Sequence, residues 1–208
     1  MTSAEQVIKV EKYNSISAYE QRMAQIITAQ ILEKPELSPW MILIPIVFIP
    51  FIQRYQKYKE LCKAFSGGFL YTKKIALDIA YEVYKNGLPK ENLPDLIIKS
   101  VEKHPNAVPE VLNIYQKQIQ EIKLLSEHYL GLLEMEKTQY GEMVISYYQN
   151  EHNYLGFINK LTEAEKEVNR ATSRTFKDGA GEAPEIMGKM EKLLLECRLD
   201  EAKKIFGS

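Results

Sequence analysis

Residues 111 to 168 read VLNIYQKQIQEIKLLSEHYLGLLEMEKTQYGEMVISYYQNEHNYLGFINKLTEAEKEV, a run without proline. Its apolar and tyrosine side chains, Val111, Tyr115, Ile122, Leu125, Tyr129, Leu132, Tyr140, Met143, Tyr147, Tyr154, Phe157, Leu161 and Val168, are separated by three, four or sums of the two. At 3.6 residues per turn that spacing draws one apolar stripe along an α-helix. Unbroken from Pro109 to Phe176, the helix would approach about 100 Å at ~1.5 Å per residue, too long for a globule of this size. Either the chain turns near residues 149 to 153, or it forms a protruding coiled-coil arm. Asn150 and Asn153 are the weakest helix formers there and favour a turn. The expectation is two helices of about 35 to 40 and 20 to 25 residues, each covering the other's stripe.

Helical signals extend outward from this region, and no strand signal appears except in one apolar run whose prolines demote it. The fold class read from the sequence is therefore all-α: a long antiparallel helical hairpin or bundle with shorter N-terminal helices and a proline-kinked apolar segment. A first helix is expected from Ser3, where Ser3 and Gln6 fit a capping box, to about Glu33, with Asn14 and Ser15 marking a break. An aromatic and basic helix over 51 to 65 is expected to stop at Gly67 and Gly68. An amphipathic helix over 69 to 86 stops at Asn86 and Gly87, and a short one follows between Pro94 and Pro105. The domain reading is 1–106 as an N-terminal helical region with the apolar segment at 39–52, 107–177 as the hairpin or arm, 178–184 as a linker, and 185–208 as a short C-terminal helical hairpin. That last stretch, with Ala202 and Phe206 at small and large packing positions, resembles the turn of a tetratricopeptide-type hairpin. The resemblance covers less than one repeat, and such units need about three to be stable. It reads as a helical cap or tail.

The apolar segment is Trp40-Met41-Ile42-Leu43-Ile44-Pro45-Ile46-Val47-Phe48-Ile49-Pro50-Phe51-Ile52, with no charge, amide or hydroxyl, in a chain of mean hydropathy −0.30. As a helix it would span about 20 Å against the roughly 30 Å of bilayer hydrocarbon, so it is too short to cross. Trp40 opens the run, and Tyr55, Tyr58, Arg54, Lys57, Lys59 and Lys63 follow it. The order matches an aromatic belt with cations facing lipid headgroups. Inserting six of its large side chains contributes on the order of 10 kcal/mol. Each basic residue adds about 1 kcal/mol on an anionic leaflet. These gains exceed about 3 kcal/mol for each helix-breaking proline. The expected contact surface is Trp40, Met41, Ile42, Leu43, Ile44, Pro45, Val47, Phe48, Pro50 and Phe51, with burial in the chain's own core or against a partner as the alternatives.

Charge placement supports that reading. The net charge is −1, but residues 53 to 74 hold six basic side chains against Glu60 alone, while residues 104 to 208 hold 13 basic and 17 acidic. A balance of this kind argues against nucleic acid as the ligand. The expected partners are an anionic membrane surface or an apolar groove on another protein, with a homo-oligomer as a further option. Met1-Thr-Ser-Ala-Glu5 carries no basic leader followed by an apolar run, and Cys62 and Cys197 form no disulfide framework. The expected location is cytoplasmic, at the inner face of a membrane.

No motif names a reaction, and no cofactor is expected. Gly67-Gly68 and Gly179-Ala-Gly181 lack the strand and lysine of a phosphate loop. Glu127-His128 and Glu151-His152 repeat a dipeptide that a turn could bring together. Adjacent helical residues point about 100° apart, and the Glu-x-x-His spacing of carboxylate-bridged metal bundles is absent, so a metal site is not predicted. The tyrosines, 13 in all, read as core residues with wet hydroxyl tips. The expected function is a non-enzymatic membrane-associated or complex-associated helical scaffold or adaptor. The alternative is a small metal-dependent bundle enzyme, or an accessory subunit whose apolar segment docks on a partner.

Overall fold

A computed structural model describes residues 3–34, 45–101, 109–175 and 183–207, of which 3, 45–54, 101, 110, 175, 183 and 184 are described as backbone. Among these residues the chain is all-α, with seven α-helices and no strand. They are α1 (Ser3–Ile31), α2 (Pro45–Asn86), α3 (Leu93–Val101), α4 (Pro109–Leu133), α5 (Tyr140–Tyr148), α6 (Glu151–Thr175) and α7 (Ala183–Phe206), with a 3₁₀ turn at Lys90–Asn92.

Side-chain pairs fix the directions. Tyr13 bonds Asp78 and Thr28 bonds Ser66, so α1 and α2 are antiparallel. Thr72 meets Glu121 and Ser126 meets Ala76, numbers that climb together, so α2 and α4 are parallel, with α3 packed on both. Glu167 of α6 pairs with Lys117 of α4, and Arg198 of α7 with Glu165 of α6, each an antiparallel neighbour. Starts of α2, α4 and α7 and ends of α1 and α6 thus gather at one end of the bundle. The core between them includes Ile16, Met23 and Ile27 of α1, Ala76 and Ala80 of α2, Ile122, Leu125 and Leu132 of α4, and Ile158 of α6, all nearly inaccessible.

The expected turn is present. Gln149 takes φ 65° and donates its N–H to the Ile145 carbonyl, closing α5. Asn150 Oδ1 then accepts the Asn153 N–H at 2.9 Å, capping α6, while Asn153 Nδ2 donates to the Tyr148 carbonyl at 2.9 Å. A second break was not foreseen, and it divides the expected first helix into α4 and α5. Residues 134 to 139 hold neither glycine nor proline. The cause is long-range: Lys12 of α1, only 4% exposed, sends its ammonium to the carbonyls of Leu133 (3.0 Å) and Met135. It satisfies acceptors that another helical turn would have consumed. Gly131 lets α5 fold back closely, since a Cβ there would lie 2.3 Å from the Tyr147 ring.

Three further expectations need correction. α2 does not stop at Gly67 and Gly68 but runs through both for 42 residues, and neither has a positive φ. Packing on α1 and α4 outweighs the roughly 1 kcal/mol that each glycine costs a helix. Asn86–Gly87 is the stop, with Gly87 at φ 63° and the Leu88 N–H on the Val83 carbonyl. Residues 185 to 206 are one continuous helix, α7, not a hairpin. Asn14 and Ser15 do not interrupt α1. Leu194 and Ala202 are buried and Arg198 is tied to Glu165, so one long face of α7 is held along the bundle.

Candidate functional site

Five helices each bring a charged residue to one region of the interior: Glu20 from α1, Lys73 from α2, Glu121 from α4, Glu165 from α6 and Arg198 from α7. Arg198 holds Glu165 with two parallel hydrogen bonds of 2.6 and 2.8 Å, the planar fork that guanidinium and carboxylate share. Lys73 donates to the same carboxylate at 3.1 Å, stands 3.8 Å from Glu121 Oε1 and lies over the Phe69 ring at 4.2 Å. Thr72 donates to Glu121 Oε1 at 2.6 Å, and Tyr129 donates to Glu20 at 2.8 Å. Burial opposes ionisation of Glu165, yet Arg198 and Lys73 bring its carboxyl down to about 2. Burial prevails at Glu20 and Glu121, which Lys73 compensates in part, and both carboxyls are raised. Burial also works against the Lys73 ammonium, but Glu165, Glu121 and Glu20 overcome it and keep the charge in place.

A cavity of about 620 Å³ ends on this cluster. Its floor holds Thr72, Lys73, Glu121, Glu165 and Arg198, and its walls are mainly apolar: Leu61 and Phe65 of α2, Val168 of α6, and Met187, Met190 and Leu194 of α7. Gly68 widens it, because a Cβ at that position would meet nothing within 4 Å. Leu61 and Leu32 on one side and Met187 on the other place the far end of the cavity where α1 and α6 finish and α7 starts, with α2 running on past it. Thr162, 8% exposed and lining the same cavity, has a buried hydroxyl with no hydrogen-bond partner among the described residues.

Below the cluster, away from that end, is an aromatic network. Tyr19 stacks on Tyr140 with centroids 3.7 Å apart, and the Tyr140 and Tyr154 hydroxyls are 3.3 Å apart. The expectation of wet hydroxyl tips fails at Tyr129, Tyr140 and Tyr154: the chain itself supplies their partners. His128 stacks on Phe157 at 4.1 Å, and its Nδ1 is 2.8 Å from the Tyr148 hydroxyl. Burial, with a smaller contribution from the Arg198 charge, lowers its pKa to about 3, so it is a neutral ring.

Of the residues singled out in the sequence, Glu127, His128 and His152 do border one hollow, of about 450 Å³, shared with Tyr148 and Lys160; Glu151 begins α6 outside it. Glu127 and His152 are exposed, and among the described residues no group of three or more His, Cys, Asp or Glu is arranged to hold a metal ion. Trp40, Met41, Ile42, Leu43 and Ile44 lie outside the described residues. Pro45, Val47, Phe48, Pro50, Phe51 and Arg54 fall on the backbone of the first turns of α2. Pro45 is the first helical residue, where no intrahelical acceptor awaits an N–H, so one proline penalty expected from the sequence does not arise. Lys57 and Lys59 are exposed and Lys63 is exposed one turn further on. Among the described residues no helix is long and apolar enough to cross a membrane.

The five charged residues of the cluster were not singled out by sequence reasoning, though a signal was present. Lys73, Glu165 and Arg198 each stand four residues after Phe69, Leu161 and Leu194, and Glu121 four before Leu125. A charge at core spacing on an otherwise apolar face marks a buried charge. Comparison with protein-family models, with curated proteins and with solved structures finds no match for this chain.

Proposed function

We propose that this protein is a membrane-surface binding protein that holds an amphipathic small molecule in the cavity of its helical bundle. The observation that carries the reading is the cavity itself, about 620 Å³ with apolar walls and a charged blind end. Ligand pockets typically measure about 300 to 1,000 Å³, largely apolar with a few convergent polar groups. The membrane part rests on direction. Thr28 of α1 sits opposite Ser66, so Ile31, three residues on, stands level with residue 63 of the antiparallel α2. The preceding 18 residues of α2, roughly 27 Å at ~1.5 Å each, extend past the last helical residue of α1. They carry the end of the apolar run and its basic flank, at the cavity's open end. An amphipath leaving a leaflet would meet this surface first.

Nile red, a neutral apolar fluorophore, tests the cavity. It should bind one per chain with a blue shift, and Gly68→Leu, which fills the space without disturbing α2, should weaken binding at least tenfold. Equal binding by the variant would remove the cavity from consideration. Flotation with anionic liposomes tests the surface: Ile44→Asp, Val47→Asp and Phe48→Asp together should abolish it while helix content holds. Unfolding of that triple variant would instead place the segment in the protein's own core.

A further inference from the structure

The charge count in the interior restricts what the cavity takes. Its lining holds three carboxylates, Glu121, Glu165 and Glu191, against two cations, Lys73 and Arg198. Glu20 lies just behind and adds a fourth negative group within electrostatic reach of Lys73 and Arg198. Both cations are already engaged with Glu165, through contacts of 2.6, 2.8 and 3.1 Å. An anionic head would bring a further negative charge to a site where neither cation is uncommitted. Glu121 has the opposite standing. Its Oε1 accepts only the Thr72 hydroxyl, Lys73 stays 3.8 Å away, and among the described residues no hydrogen bond reaches its Oε2. Thr162 adds a buried hydroxyl with no hydrogen-bond partner among the described residues on the same wall. The floor therefore leaves room beside Glu121 for one further hydrogen-bond donor and one further positive charge. An ammonium supplies both, carrying up to three N–H donors and no acceptor.

We propose that the cavity binds a lipophilic amine, its protonated nitrogen on the Glu121 carboxylate and its apolar body along α2 and α7. The inference rests on the cavity reading above and specifies the ligand's head. Burial raises the Glu121 carboxyl in the empty protein, Lys73 offsetting it in part, and Glu165, Thr72 and Arg198 complete its surroundings. An arriving cation favours the ionised form and so draws the Glu121 carboxyl back down.

Three probes with the same chain separate the outcomes: dodecylamine, dodecanoic acid and dodecanol, titrated calorimetrically at pH 7.0. Dodecylamine should bind one per chain, at least tenfold tighter than either other probe. Glu121→Gln should weaken dodecylamine at least tenfold and leave dodecanol within twofold, which also shows that the variant is folded. Without any substitution, dodecylamine affinity should fall on acidification, as Glu121 takes up a proton. Equal affinity for all three, or preference for the acid, overturns the amine assignment and leaves the cavity reading standing. Failure of all three together with Nile red overturns the cavity reading as well.

Discussion

His128 makes the stability of this bundle depend on pH in a direction and window that can be worked out. Its ring is 4% exposed, stacked on Phe157 and bonded to Tyr148, with Tyr129, Tyr154 and the Arg198 charge around it. The folded pKa is lowered to about 3, whereas the unfolded chain titrates near the ordinary 6.5. Between these values the unfolded state binds a proton that the folded state refuses, so stability falls as pH drops from about 6.5 toward 3. At pH 5.0 the linkage amounts to about 2 kcal/mol relative to pH 7.5, from the 1.36 kcal/mol carried by each tenfold change in protonation. Glu20 and Glu121 act oppositely, because their raised carboxyls take protons in the folded state first. The isolating experiment is therefore a difference. Urea denaturation of the wild type and of His128→Gln at pH 7.5 and 5.0 should show the variant less stable at the higher pH, but losing about 2 kcal/mol less on acidification. Equal losses would mean that His128 takes up its proton as readily folded as unfolded, as a solvated ring would.

Two further substitutions probe contacts that shape the α4–α5 corner. Lys12→Met removes the ammonium from the Leu133 and Met135 carbonyls and should destabilise by about 2 kcal/mol in urea, since buried acceptors lose their donor. An unchanged midpoint would show that water takes the place of Lys12. Gly131→Ala forces the Tyr147 ring aside and should destabilise; in a Tyr147→Ala background it should instead stabilise by about 0.5 to 1 kcal/mol through the unfolded chain and helix propensity. Additivity within about 0.3 kcal/mol would refute the close approach.

What the sequence could and could not reveal follows from the range of each interaction. The turn at 149 to 153 was legible because its cause is local: two asparagine side chains bond backbone within five residues of themselves. The Gly87 stop is equally local, a positive φ that glycine accepts without strain. The corner after Leu133 was hidden because its cap comes from Lys12, 121 residues away. Gly67 and Gly68 misled because propensity is a weak preference that neighbours on α1 and α4 override. The same holds for the site. Glu127, His128, Glu151 and His152 attracted notice as a repeated dipeptide, yet His128 is neutral and stacked, and the carboxylates that converge come singly from different helices. Only the packing of five helices around one point assembles them.

That convergence is not what stability alone would select. Taking an ion from water into a protein interior costs several kcal/mol, and replacing a buried charge triad by apolar side chains of similar volume is often neutral or stabilising. A cluster serving only to hold helices together would also balance its charges and sit in a packed core. Here Arg198 and Lys73 neutralise Glu165 between them, Glu121 and Glu20 are left under-compensated, and a cavity of about 620 Å³ opens on the imbalance. The His128 and tyrosine network is, by contrast, internally hydrogen-bonded, with rings stacked at 3.7 and 4.1 Å, although a hollow of about 450 Å³ borders it. One half of the bundle pairs its buried polar groups with each other, and the other keeps some unsatisfied beside its cavity. The two halves share α1, α4, α6 and α7, so a ligand that satisfies the second half also stabilises the first, in proportion to its preference for the folded state.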